Sequence, residues 1–151
     1  MVEPSRGARD LVDEALGLLL AKDMAGFAGL WAVEGIMEFP FAPAGYPRRL
    51  EGRQAVREYL RDYPDHVDLR AITHRTLHQT EDPEVVVLEF EVDGMAVHTR
   101  RPYRMGYIAV ITARDGEIVR YRDYWSPLAA AEALGGLDEL TAAFVGGGSG
   151  V

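Results

Sequence analysis

The stretch Gly116-Glu117-Ile118-Val119-Arg120-Tyr121-Arg122-Asp123-Tyr124-Trp125-Ser126-Pro127 reads as a turn leading into a β-strand. Side chains on a strand alternate between faces, so Tyr121, Asp123 and Trp125 share one face. A carboxylate between two aromatics has two readings. On a buried face its charged form is disfavoured, its pKa rises, and it suits general acid/base work. On a solvated face, or paired with Arg104 or Arg122, it is an ordinary acid. Alternation puts Arg122 on the opposite face and weakens that partner.

Outward from this strand, the second half of the chain alternates like sheet over about Val67–Gln79, Val85–Val92, Tyr103–Ala113 and Ile118–Trp125. Asp93-Gly94 and Asp115-Gly116 mark two hairpin turns. The first half is helical in pattern. Leu11, Ala15, Leu18 and Leu19 recur at helical spacing between Ala8 and Ala21. Asp23 can cap a short helix from Met24 to about Trp31. An extended run over Val33–Phe41 follows, then a proline-rich loop over Pro40–Pro47. A third helix spans Gly52 to Tyr63, with Pro64 ending it, and a last short one spans Leu128 to Leu134, stopped by Gly135-Gly136. Gly146-Gly147-Gly148-Ser149-Gly150 reads as a flexible tail. The order implies α+β: a curved antiparallel sheet wrapped around three helices, a cone with an internal pocket, in a single domain of 151 residues.

The formal charge of -8 argues against nucleic acid and anionic membranes as partners. No cysteine is present, which excludes disulfides, thiolate metal sites and cysteine nucleophiles. No apolar run is long enough for a membrane span. Glu3, Asp10, Asp13 and Glu14 break any secretory-signal pattern, so the expected location is the cytoplasm.

Other candidates carry less. Tyr59 and Tyr63 stand one helical turn apart and either point phenols into the pocket or simply pack. His74 and His78 on a regular strand lie about 13 Å apart, too far to share a metal. Glu89 and Glu91 oppose the apolar set Leu88, Phe90 and Val92 and should face outward. Arg100, Arg101 and Arg104, like Arg48 and Arg49, read as solvated loop residues. The serines lack the glycine context of a nucleophile elbow.

The element order and three motifs, MEFPF…PRRLEGRQAVREYL, DPEVVVLEFEVDG and DGEIVRYRDYWSPLAAAEALGG, resemble the SnoaL-like branch of the nuclear-transport-factor-2-like superfamily over roughly Ala8 to Gly136. Ketosteroid isomerases are similar in layout, but the positions of their tyrosine and two aspartates hold Ala15, Phe39 and Ile108 here; only a tryptophan matches, at Trp125. Limonene-epoxide hydrolases are similar at the last strand, where their aspartate falls on Asp123, while Met37 and Phe39 replace their water-positioning pair. The phenazine-biosynthesis A/B proteins resemble the chain most. Their last-strand acid matches Asp123 and their helix histidine falls at Tyr59. The resemblance implies a homodimer formed through the outer sheet face, with Arg120, Arg122 and Tyr124 at or near the interface. It further implies cones that bind a hydrophobic, cyclic small molecule without a cofactor or metal.

The resulting expectation is a small-molecule enzyme of cyclase, isomerase or condensation type, or else a non-catalytic binder of the same fold. Asp123 would move the proton, with Tyr59 and Tyr121 orienting the substrate. Helix residues Leu16, Leu19 and Tyr63, together with Trp31 and Phe39, would line one side of the pocket. Leu88, Phe90, Ile108, Val110 and Trp125 would line the sheet side.

Overall fold

A computed structural model describes residues 7–143. The glycine-rich tail expected at Gly146–Gly150 lies outside the described residues.

Helix α1 (Ala8–Leu20) buries Leu11, Val12, Ala15 and Leu16, the apolar stripe of its sequence. The Asp23 side chain accepts a bond from the Gly26 amide at 2.8 Å and starts α2 (Met24–Ala28). That helix ends at Gly29, earlier than expected, so Trp31 opens strand β1 (Trp31–Glu38) instead of closing a helix. The proline loop leads into a short strand the sequence reading did not contain, β2 (Arg49–Glu51), antiparallel to β1. Next come α3 (Arg53–Leu60) and α4 (Tyr63–His66). The single helix expected to reach Tyr63 is thus two. Pro64 does not end a helix; it sits in the first turn of α4, where its missing N–H leaves no helical bond unmade.

The remaining strands are β3 (Val67–Gln79), β4 (Val85–Ala96), β5 (Pro102–Arg114) and β6 (Glu117–Tyr124). All six form one sheet in the order β2-β1-β6-β5-β4-β3, antiparallel except where β1 runs parallel to β6. Asp115 and Gly116 take φ of 53° and 78°, the left-handed geometry a tight hairpin requires. Asp93 and Gly94 do not form a turn. They stay in β4, opposite Arg104 and Tyr103, and the chain reverses after Ala96. Gly94 is there for close approach: a Cβ would fall 2.1 Å from the Asp68 carbonyl oxygen, beside the bulge between Leu69 and Ala71.

The Ser126 side chain caps α5 (Pro127–Leu134), and Gly135, in the left-handed region, stops it as expected; α6 (Leu137–Thr141) follows. The inner sheet face buries Leu88, Phe90 and Val92 from β4 and Tyr103, Met105, Ala109 and Ile111 from β5. A register shift at Thr112/Ala113 resets the alternation of β6, so that Ile118 pairs with Ala113 and Tyr121 with Ile111, all four facing inward. The result is a cone of α+β architecture.

Gly94→Ala is expected to lose about 1–3 kcal/mol in urea unfolding, because backbone must move to admit the methyl group. Gly106→Ala, with open space at its Cβ, should stay within about 0.5 kcal/mol of the parent.

Candidate active site

Asp123 pairs across the β5–β6 ladder with Ala109, which is fully buried on the inner face. Pairing therefore aims the carboxylate into the cone, and the small alanine leaves space beside it. The cavity has a volume of about 90 Å³ and opens to solvent, room for several waters or a small organic group. Asp123 is half-buried overall, yet its Oδ1 is closed off from solvent and meets no hydrogen-bond donor among the described residues. Arg104, one partner weighed from the sequence, lies instead 3.6 Å from Asp93, and Arg122 pairs with Val110 on the outer side. Burial alone pushes the Asp123 carboxyl from 3.8 up to about 7.

Phenols dominate the polar part of the wall. Tyr59 comes from α3, Tyr63 from α4, Tyr103 and Tyr107 from β5 and Tyr121 from β6. Tyr103 and Tyr107 lie four residues apart on one strand, about 13 Å between Cα atoms. Their hydroxyls nevertheless meet at 2.7 Å, so the side chains lean together over Met105. Tyr63 hydrogen-bonds both. Burial raises the pKa of Tyr59, Tyr63, Tyr107 and Tyr121, with the Asp123 charge adding to each. Tyr103 rises only to about 12, because bonds from Tyr107 and Tyr63 counter its burial. Near neutral pH every one of these phenols keeps its proton and can donate it in a hydrogen bond.

The apolar wall is aromatic. Phe39 packs on Tyr59 at 5.2 Å and Phe90 stacks on Tyr107 at 5.1 Å between ring centroids. Trp31 stands behind Tyr121 at 5.3 Å. Among the described residues no lysine, arginine or histidine lines the cavity.

Of the residues expected from sequence, Leu19, Phe39, Tyr59, Tyr63, Phe90, Tyr121, Asp123 and Trp125 reach the wall. Trp31 and Leu88 are core residues behind it, and Leu16 borders a separate surface groove between α1 and β3. Ile108 and Val110 are on the wrong face: Ile108 is 43% exposed, opposite Tyr124, and Val110 lies opposite Arg122. The run Tyr107-Ile108-Ala109-Val110-Ile111 is apolar at both parities, so alternation within it cannot choose a face. The correction brings in Tyr103 and Tyr107, which the sequence reading missed. Their signal was the contrast of Tyr103, Met105 and Tyr107 with Pro102, Arg104 and Gly106 at the other parity. Glu89 and Glu91 face outward as expected, and His78 contacts Glu89 there at 2.6 Å.

The SnoaL-like domain pattern matches residues 9–121. The chain belongs to the SnoaL-like family. Asp123 lies just past the matched segment, so its role rests on geometry. This SnoaL-like protein is 46% identical to the uncharacterized protein YesE of Bacillus subtilis over 121 residues, 80% of this chain and 82% of that one. It is 39% identical to the uncharacterized PhzA/B-like protein PA3332 of Pseudomonas aeruginosa, over 87% of this chain and 92% of that one. A Bacillus subtilis crystal structure, provisionally named an isomerase, superposes with a TM-score of 0.83 at 43% identity, covering 85% of this chain and 93% of that one. Solved proteins with a ketosteroid isomerase-like fold share the architecture. Among the described residues no helix is long and apolar enough to cross a membrane.

The raised carboxyl has a thermodynamic signature. The folded state holds the Asp123 proton more tightly than the unfolded chain, so this group's contribution to stability is full below pH about 4 and is lost as pH rises through about 7. Asp123→Asn removes the loss but keeps a buried polar group. In urea unfolding at pH 8 the variant should be more stable than the parent by roughly 1–3 kcal/mol, with a flatter pH dependence between 4 and 7. A loss of about 3 kcal/mol at pH 8 would instead mark a buried ion pair.

Proposed function

We propose that this SnoaL-like protein is a cofactor-independent enzyme of cyclase or isomerase type, acting on a hydrophobic cyclic metabolite with Asp123 as its acid/base. One observation carries the reading: a lone carboxylate, unpaired and desolvated, stands in the wall of an aromatic cavity. A carboxyl titrating near 7 exchanges protons readily at neutral pH. It takes a proton from carbon beside a carbonyl, the C–H electron pair moves into the enolate, and the carboxylic acid returns the proton to another carbon. In a cyclisation the enolate carbon instead attacks a second carbonyl, and the acid protonates the alkoxide formed. Tyr59 and Tyr121 line the same cavity and orient the substrate in this reading. Provisional names of solved relatives as isomerases and polyketide cyclases point the same way. A protein that only binds ligand needs the carboxylate alone, whereas this cavity adds several convergent O–H donors.

The reading extends to a homodimer through the outer sheet face. That face exposes Ile108 and packs the exposed Phe41 against Tyr124 at 5.1 Å. It carries both Arg120 and Arg122 and both Glu89 and Glu91, a mixture that suits a self-complementary two-fold contact. Ile108→Glu should convert the dimer to monomer in sedimentation velocity; a parent that sediments as a monomer contradicts the extension.

The chemistry is tested without the natural substrate by NMR of α-proton exchange into 2-tetralone, a neutral bicyclic ketone, in deuterated buffer. The parent should accelerate exchange, with a rate that rises through pH about 7 as Asp123 ionises. Asp123→Asn should lose roughly 100-fold or more. Exchange at the parent's rate in that variant, or none by the parent, contradicts the proposal.

A further inference from the structure

The hydrogen-bonded tyrosines are not used by the chemistry above, yet they line the same cavity. Three observations bear on them. First, Tyr63, Tyr103 and Tyr107 come from α4 and β5, converge through their hydroxyls, and all line the cavity. Plain packing explains buried tyrosine rings, but it does not require three hydroxyls to meet beside an open space. Second, register fixes their place relative to Asp123. Ala109 is opposite Asp123, and Tyr107 is the next inward residue of β5, a diagonal neighbour at about 7–8 Å between Cα atoms. Register thus sets Tyr107 and its hydroxyl partner Tyr103 on the same inner face as Asp123. Third, no cationic side chain among the described residues lines the wall. An anionic ligand would bury its charge in a desolvated space with no cationic side chain among the described residues to neutralise it, whether or not Asp123 is ionised.

We propose that Tyr63, Tyr103 and Tyr107 form an oxygen-binding subsite, and that the ligand is a neutral carbonyl compound whose oxygen accepts the Tyr103 O–H. This deepens the acid/base reading and rests on the same cavity. Each phenol has one proton and two acceptor lone pairs. When Tyr103 turns its proton to a ligand oxygen, Tyr63 and Tyr107 donate to the Tyr103 oxygen and polarise it further. Tyr103 is also where bonds from both neighbours already counter the effect of burial. The subsite holds the carbonyl and receives negative charge as the adjacent C–H bond breaks toward Asp123.

Three probes of one size separate the ligand classes: 2-tetralone, 2-naphthoate and a 2-naphthyl trimethylammonium ion. Each is titrated calorimetrically at pH 6, and the bound ketone is followed by its infrared C=O stretch. The ketone should bind about tenfold or more tighter than the carboxylate, and its C=O band should move to lower frequency on binding. Tyr103→Phe should weaken the ketone about tenfold, abolish the band shift and leave naphthalene binding unchanged. Tyr107→Phe should reduce the shift in part. Both variants keep ring volume, and thermal melts check that they fold. The proposal is overturned if the C=O band is unshifted in the parent, or shifts equally in both phenylalanine variants. It is also overturned if the ammonium ion binds tighter than the ketone, which would make the cavity an aromatic cation site. Asp123→Asn separates the two readings. It should keep the band shift while losing proton exchange, so the subsite and the acid/base role fail independently.

Discussion

The architecture turns on one unfavourable contact, the burial of the Asp123 carboxylate without a donor at Oδ1. Most buried acids are tied to a cation or a set of amides, and their pKa falls. This one rises, because β6 holds it inward between β1 and β5 while no ionic partner among the described residues reaches it. Several features follow from that placement. The reset alternation of β6 keeps Tyr121 and Asp123 on the inner face after Ile118. Arg120 and Arg122 then fall outside, where Arg120 pairs with Glu38 of β1. Ala109 leaves the space that the carboxyl faces.

The aromatic wall has a second consequence. It lowers the local dielectric and so raises the acid's pKa, while its phenols supply directional donors. Hydroxyls are the polar groups that can do both, since a guanidinium or ammonium in their place would pull the carboxyl back toward an ordinary acid. The absence of cations among the described residues of the wall and the presence of several tyrosines therefore belong to one electrostatic arrangement.

Much of this was legible in the sequence where a single period or a single residue type decides the structure. Period-two alternation located β3 through β6, the left-handed turn at Asp115-Gly116 was readable from its residues, and Gly135 ended α5 as glycine does. That Asp123 shares a face with Tyr121 followed from alternation alone, whereas the structure was needed to show that this face lines the cavity. What was not legible depended on partners distant in the chain. Gly94 looks like a turn residue but serves the approach of β3, which local sequence does not reveal. Strand β2 is three residues beside a proline loop and exists only because β1 pairs with it. Ile108 and Val110 lie in a run apolar on both faces, because the outer sheet surface is partly apolar too; that run alone does not choose a face, and the contrast that does lies earlier in the strand, at Tyr103, Met105 and Tyr107 against Pro102, Arg104 and Gly106.

The most direct measurement is the titration of the Asp123 carboxyl carbon itself, followed by 13C NMR with the assignment made by comparison with Asp123→Asn. The account expects a midpoint near 7 in the free protein. A midpoint at or below the ordinary aspartate value of about 4 would show a solvated or ion-paired carboxylate and would contradict the account at its centre.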